Sequence, residues 1–231
     1  MRPVHRGDAP NTYARYQDAI GDLESRLGIY CSYCERRLPA SLAVEHVNPK
    51  SVTPALETEW SNFLLSCTNC NSVKGQQVTN GEDYLWPDRD NTFLAFEYRE
   101  GGFVAVSAGL NADVEPKAAA LRDLVGLDRH RLAGPGRRPA PRDKRWKDRE
   151  QVWQTAATQK ERLGRFPPAV HHLVRQYIVE AAEGFGFFSV WVTVFADDTE
   201  IRRQLIARFP GTAADCFDFN GKAVARPGGR L

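Results

Sequence analysis

Two C-x2-C pairs, Cys31-Ser-Tyr-Cys34 and Cys67-Thr-Asn-Cys70, constrain this chain more than anything else in it. One tight knuckle can present two thiolates to a tetrahedral ion, and two knuckles complete a four-sulfur shell of the kind that structural zinc occupies. Such a shell leaves no position open for a substrate, so the ion is expected to hold the fold and to do no chemistry. The reading agrees with the compartment the sequence suggests. The opening Met-Arg-Pro-Val-His-Arg has no apolar secretory segment, and no apolar run approaches the ~20 residues that span a membrane, so a cytoplasmic location is expected. Disulfides rarely persist there, and regularly spaced cysteines serve as metal ligands or catalytic groups. Cys216 stands alone and reads as a small buried hydrophobe.

The remaining composition is that of an ordinary globular chain: 231 residues, 42% hydrophobic and 26% charged, without repeats. A formal charge of +2 creates no global field, so any grip on a polyanion must be local. Apolar spacing predicts a helix over residues 11–27, capped by Asn11 or Thr12 and stopped by Gly28. Short strands are expected at Ile29-Tyr30, Leu42-Ala43-Val44 and Asn62-Phe63-Leu64-Leu65, and a helix from about Asn69. Residues 92–98 and 103–107 read as a hairpin joined by Arg99-Glu100-Gly101-Gly102. Helices are expected over 116–127, 146–163, 169–183 and 199–209, the last capped by Asp197 or Asp198. Residues 187–195 are apolar throughout, so period alone leaves strand and buried helix open. The tail from Arg226 is expected to fray.

Between and just after the cysteines lie Glu45-His46-Val47-Asn48-Pro49-Lys50, then Trp60-Ser61-Asn62-Phe63-Leu64-Leu65-Ser66, then Asn71-Ser72-Val73-Lys74-Gly75. This arrangement resembles the HNH endonucleases in the variant that ends in Asn, over about residues 30–75. His46, Asn62 and Asn71 would be the three letters of the motif. The chemistry fits phosphodiester cleavage, which needs a base for water, a cation on the phosphate, and a group that holds the base in place. A neutral imidazole makes His46 the candidate general base. The resemblance implies that Glu45 and Asn71 hold one divalent cation through oxygen, which suits Mg2+ or Mn2+. It also implies that Asn62 orients the loop bearing the histidine. Many members of the family carry Asp where this chain has Glu45, one methylene longer. Glu45 and His46 are neighbours on a strand, so they serve one site only at that strand's edge or end. Lys74, one helical turn beyond Asn71, is a candidate phosphate contact, and Lys50 is a second.

Residues 131–149 hold eight cations (Arg131, Arg137, Arg138, Arg142, Lys144, Arg145, Lys147, Arg149) against Asp143 and Asp148. The segment reads as a connector that either tracks a nucleic-acid backbone or is simply solvated, with Trp146 stacking on a base or lying against a helix. The adjacent His171 and His172 point apart and are a poor metal pair. The resemblance extends to HNH subunits of bacterial anti-phage defence, such as those of Septu-type systems, carried by Cys31 to Leu38, Glu45 to Ser51 and Asn62 to Gly75. The resemblance implies an ATPase partner, and this chain itself shows no G-x-x-x-x-G-K-[ST] loop.

Together these features predict an α+β protein. Residues 1–82 would form a zinc-stapled ββα-metal nuclease core with an N-terminal helix, and residues 83–231 a hairpin and mostly helical region for substrate or partner. The expected activity is metal-dependent DNA hydrolysis. An HNH nuclease acting on RNA and a non-catalytic zinc-ribbon binding module are the alternatives.

Overall fold

The computed structural model describes residues 1–77 and 81–231. Helix α1 covers Ile20–Leu27, led by a 3-10 turn over Tyr16–Ala19, and ends where Gly28 takes φ 71°. The helix expected from Asn11 therefore starts late. Asn11 Nδ2 and the Tyr13 hydroxyl both donate back to Asp22, so this stretch wraps over the helix as a loop. Tyr13 is used from that loop, stacking on Trp60, and Tyr16, which opens the 3-10 turn, meets His46.

The strands β1 (Leu42–His46) and β2 (Phe63–Cys67) pair antiparallel in the register Glu45 to Leu64 and His46 to Phe63. β2 runs straight into helix α2 (Thr68–Lys74), whose N-cap is Cys67; its Sγ accepts from the Cys70 N–H. This is the ββα order that the spacing predicts. Ile29-Tyr30 is not a strand but the lead into the first knuckle, tied by a single bridge from Tyr30 to Arg37.

A second antiparallel pair, β3 (Phe96–Arg99) and β4 (Phe103–Val106), makes the expected hairpin. Its first part differs: Asn91 caps a short helix α3 (Thr92–Ala95) by accepting from the Phe93 N–H. The remaining elements are α4 (Glu115–Val125), α5 (Arg145–Arg165), α6 (His171–Phe185), α7 (Phe188–Val194) and α8 (Thr199–Arg208). The ambiguous apolar run is thus the buried helix α7, and Asp198 is the cap of α8. The first turn of α5 rests on the hairpin turn at Gly102, where a Cβ would stand 2.3 Å from the Trp146 carbonyl oxygen. Only glycine permits that approach.

The boundary expected between residues 82 and 83 is crossed by packing, because one hydrophobic core runs from Leu23 and Phe63 through Trp86 and Leu121 to Trp191 and Phe209. Glu35, buried at φ 66°, accepts from the Arg2 N–H, the Ser189 N–H and the Ser189 hydroxyl, joining the first knuckle to α7. The C-terminal tail does not fray: buried Arg226 donates to the carbonyls of Val4 and Pro87, and the Arg230 N–H to Asp90.

Candidate active site

The four cysteines come together at the junction of the ββα unit and the helical region. Their sulfur atoms all lie within 4.8 Å of one another, all four residues are buried, and Cys34 Sγ stands 3.6 Å from Cys67 Sγ. A Zn–S distance of about 2.3 Å in a tetrahedron implies sulfur separations of about 3.8 Å, so the cluster fits such an ion. The protonation chemistry points the same way. Burial pushes the thiols of Cys34 and Cys70 well up, whereas hydrogen bonds, first from Cys31 and then from Cys34 and Cys70, pull that of Cys67 down. Four buried thiolates need a divalent cation to coexist, and zinc deprotonates such ligands.

Behind the cluster stands Arg145, which the sequence places in a basic connector. It is buried, donates Nη1 to Cys70 Sγ at 3.1 Å and to the Val125 carbonyl at 2.8 Å, and forks onto both oxygens of Asp143 at 2.9 and 2.7 Å. Burial works against its charge, but the Cys70 sulfur and Asp143 more than offset this and raise its pKa. Arg149, one turn on, is buried too and donates to the carbonyls of Gly102 and Leu127. Two of the eight expected backbone-tracking cations are therefore internal.

His46 ends β1 with its ring edge-on to Tyr16 at 4.8 Å and to Phe63 at 5.3 Å. Its Nε2 lies 2.9 Å from the Glu57 backbone carbonyl. A carbonyl only accepts, so Nε2 carries the proton and Nδ1 keeps its lone pair, with no partner among the described residues. Burial lowers the pKa of this histidine and so favours the neutral ring, opposed in part by the hydrogen bond to the Glu57 carbonyl. Asn62 sits at the start of β2, buried, and clasps the chain just past His46: Oδ1 accepts from the Asn48 N–H at 2.8 Å, and Nδ2 donates to the carbonyls of Asn48 at 3.0 Å and Leu56 at 3.2 Å. Lys50 belongs to the same loop, paired with the Glu57 carboxylate at 2.9 Å and lying over the Tyr16 ring at 4.2 Å.

Glu45 and Lys74 take positions that sequence reasoning does not supply. Glu45 is buried on the side of β1 away from His46, with Oε1 2.9 Å from Lys74 Nζ. That approach is a charge contact without hydrogen-bond geometry, and Oε1 has no hydrogen-bond partner. Burial raises the Glu45 pKa even though Lys74 pulls it down. Lys74 is itself sealed from solvent and donates to the His46 carbonyl at 2.8 Å, so in this structure it is an internal counter-ion and not a surface contact for phosphate. Asn71 is exposed in the second half of the first turn of α2, its side chain without a hydrogen bond among the described residues. Carboxylate and carboxamide oxygens are the donors a hard divalent ion prefers, so these two residues suit such an ion by donor type, although Glu45 is buried against Lys74 and Asn71 is exposed, with no hydrogen bond joining them. Lys74 competes for the same carboxylate.

Trp146 is not a free stacking platform: His130 meets it edge-on at 4.8 Å and the Arg131 guanidinium lies over it at 5.5 Å. No helix among the described residues is long and apolar enough to cross a membrane.

Residues 31–77 match the HNH endonuclease family. Over 74 residues the chain is 40% identical to the Septu protein PtuB of Bacillus thuringiensis. That stretch spans 29% of this chain and 29% of the length of the curated relative.

Proposed function

We propose that this chain, whose residues 31–77 are an HNH endonuclease domain, is a nuclease that hydrolyses DNA phosphodiester bonds, with His46 as general base. The observation that carries the reading is the Nε2 contact of His46 with the Glu57 carbonyl, which leaves Nδ1 as a fixed, unprotonated acceptor. Nδ1 takes a proton from water as the water oxygen attacks phosphorus in line, and the P–O bond to the leaving 3′ oxygen breaks. Solvent returns a proton to that oxygen, giving 5′-phosphate and 3′-hydroxyl ends. Asn62 acts as a positioning residue: two of its hydrogen bonds hold the Asn48 backbone and a third the Leu56 carbonyl, and through them the turn that follows His46. Glu45 and Asn71 would hold the divalent ion, Mg2+ or Mn2+, which when bound places positive charge beside the phosphoryl and leaving oxygens. Lys50, half-exposed in the His46 loop, faces substrate, and Lys74 balances the Glu45 charge.

The four-cysteine ion, zinc in this reading, keeps β2 and α2 in place beneath that site. Similarity to the Septu protein supports a role in bacterial anti-phage defence, and an ATPase subunit as partner and a cytoplasmic setting are part of the same proposal.

The test is cleavage of supercoiled plasmid and of structured RNA with Mg2+, Mn2+ or neither, by the full chain and by His46→Ala. Metal-dependent plasmid nicking that disappears in the variant is the expected result. Undiminished cleavage by the variant overturns His46 as base, and cleavage of RNA in preference to plasmid overturns the substrate.

A further inference from the structure

We propose that the irregular segment 126–144 and the first turn of α5 form a track for the backbone of duplex DNA beside α2, supplied by the part of the chain outside the HNH domain. The inference rests on the nuclease reading for its ligand, but its evidence is separate.

In sequence the segment is a mixture of signs; the folded chain sorts them. Asp143 is buried in its fork with Arg145, and Asp148 pairs with Arg36 of the first knuckle at 2.7 Å. Arg137 turns onto Asp123 and Asp128. All three acids of the segment and the first turn of α5, Asp128, Asp143 and Asp148, are thus engaged in ion pairs. Arg131, Arg138, Arg142, Lys144 and Lys147 remain exposed and have no ion pair among the described residues. A run that is only solvated gains by interleaving its charges; here the anions are withdrawn and the cations left facing solvent, as a phosphate backbone requires.

Position and rigidity support the same ligand. Lys144 adjoins Arg145, which is bonded to Cys70, and Cys70 adjoins Asn71; α4, just before the segment, packs on α2. The track therefore begins at the helix that carries a candidate metal ligand. His130 anchors its start, buried, with Nε2 on the Gly101 carbonyl and Nδ1 accepting from the Leu132 N–H. Cations on a pinned loop lose less freedom on binding than cations on a floppy one.

The choice of duplex comes from Trp146. Surfaces that hold single strands use exposed aromatic rings on which bases stack. The single aromatic side chain of residues 131–149 is covered by His130 and Arg131, so the track offers charge alone, the means of reading a paired backbone.

The experiment measures fluorescence-anisotropy binding of a short DNA duplex across a salt series, using full-length protein with His46→Ala so that no cleavage intervenes. A combined Arg138→Gln, Arg142→Gln, Lys144→Gln variant removes three exposed side chains. Each lost phosphate contact lowers the slope of log K against log salt by about 0.9, so a drop of between about 1 and 3 is expected, with affinity down more than about tenfold at low salt. A control pair, Arg203→Gln with Lys222→Gln, exposed on α8 and beyond it, leaves the slope unchanged. An unchanged slope in the triple variant, an equal loss in the control, or tighter binding to a single strand or RNA hairpin than to duplex overturns the proposal. Since all three residues are exposed, the melting temperature of the triple variant stays at the parent value, which separates lost binding from lost folding. Duplex binding through the track by a protein that cleaves nothing would sink the nuclease reading alone.

Discussion

Lys74→Met tests whether the Glu45 carboxylate is held as an ion by Lys74. The lysine ammonium stands 2.9 Å from Glu45 Oε1 and donates to the His46 carbonyl at 2.8 Å, and both side chains are 3% exposed or less. At that burial the small figures for surface pairs do not apply. Taking one partner from a buried pair costs about 3–5 kcal/mol, because the remaining charge is left in an apolar place. For a chain of this size about 2–4 °C of melting temperature accompanies each kcal/mol, so the variant is expected to melt roughly 6–20 °C below the parent. Glu45 already has a raised pKa from burial, and removing Lys74 takes away what lowers it. The folded variant then holds a proton that the unfolded chain has released. Its stability is fullest below the ordinary carboxylate pKa and falls as pH rises from there through the raised value. Glu45→Gln in the Lys74→Met background removes the stranded charge and is expected to recover most of the loss. Thermal melts of the three proteins over a pH series, without added magnesium, make the measurement. A Lys74→Met protein that melts within about 2 °C of the parent, or a double variant no better than the single, would refute the buried-pair account.

Two further outcomes follow from the site. Burial lowers the His46 pKa and catalysis needs the neutral ring, so kcat/KM for cleavage should rise with pH along an acid limb below the ordinary histidine value of 6.5 and be flat by neutral pH; a limb above 6.5 would contradict the assignment. Arg145→Met keeps the volume of the side chain but removes the donor to Cys70 Sγ, and partners at this remove from a metal commonly control 10–100-fold in affinity. Zinc competition with a chromophoric chelator should show weaker retention in that variant, with Arg145→Lys recovering part of it.

What could be read from the chain alone follows from how local each signal is. The knuckles and the ββα order depend on residues a few positions apart, Asp198 starts α8 through its own side chain, and Gly28 ends α1 through its own φ. The errors arise where a distant partner decides. Tyr13 and Tyr16 have helical spacing, yet Tyr13 lies in a loop against Trp60 and Tyr16, against His46, only opens a 3-10 turn. Residues 187–195 are buried in α7 on every side that counts, which erases the period that would identify a helix. Lys74, Arg145 and Arg149 carry charges that favour the surface, and their burial is made tolerable by Glu45, Cys70 and Asp143 together with the backbone carbonyls of His46, Val125, Gly126, Gly102 and Leu127. Arg226, which looked like part of a loose tail, is fixed by carbonyls more than a hundred residues away in sequence.

The same long-range pairs show why the helical region cannot be a separate accessory. A four-thiolate zinc site carries a net charge of about −2, and a buried charge of that size needs a cation close by. Among the described residues the HNH segment sets no arginine or lysine side chain on these sulfurs; the donor on Cys70 is Arg145, from α5. Asp143 in turn orients Arg145, and Asp148 on the same helix returns to Arg36 in the first knuckle. The contacts that seat α5 on the metal site are thus the ones that withdraw acids from the connector surface. Removing the region after residue 82 would leave the cysteine cluster without its counter-charge and Glu35 without Ser189, so the nuclease domain draws its stability from the segment that also supplies its proposed grip on DNA.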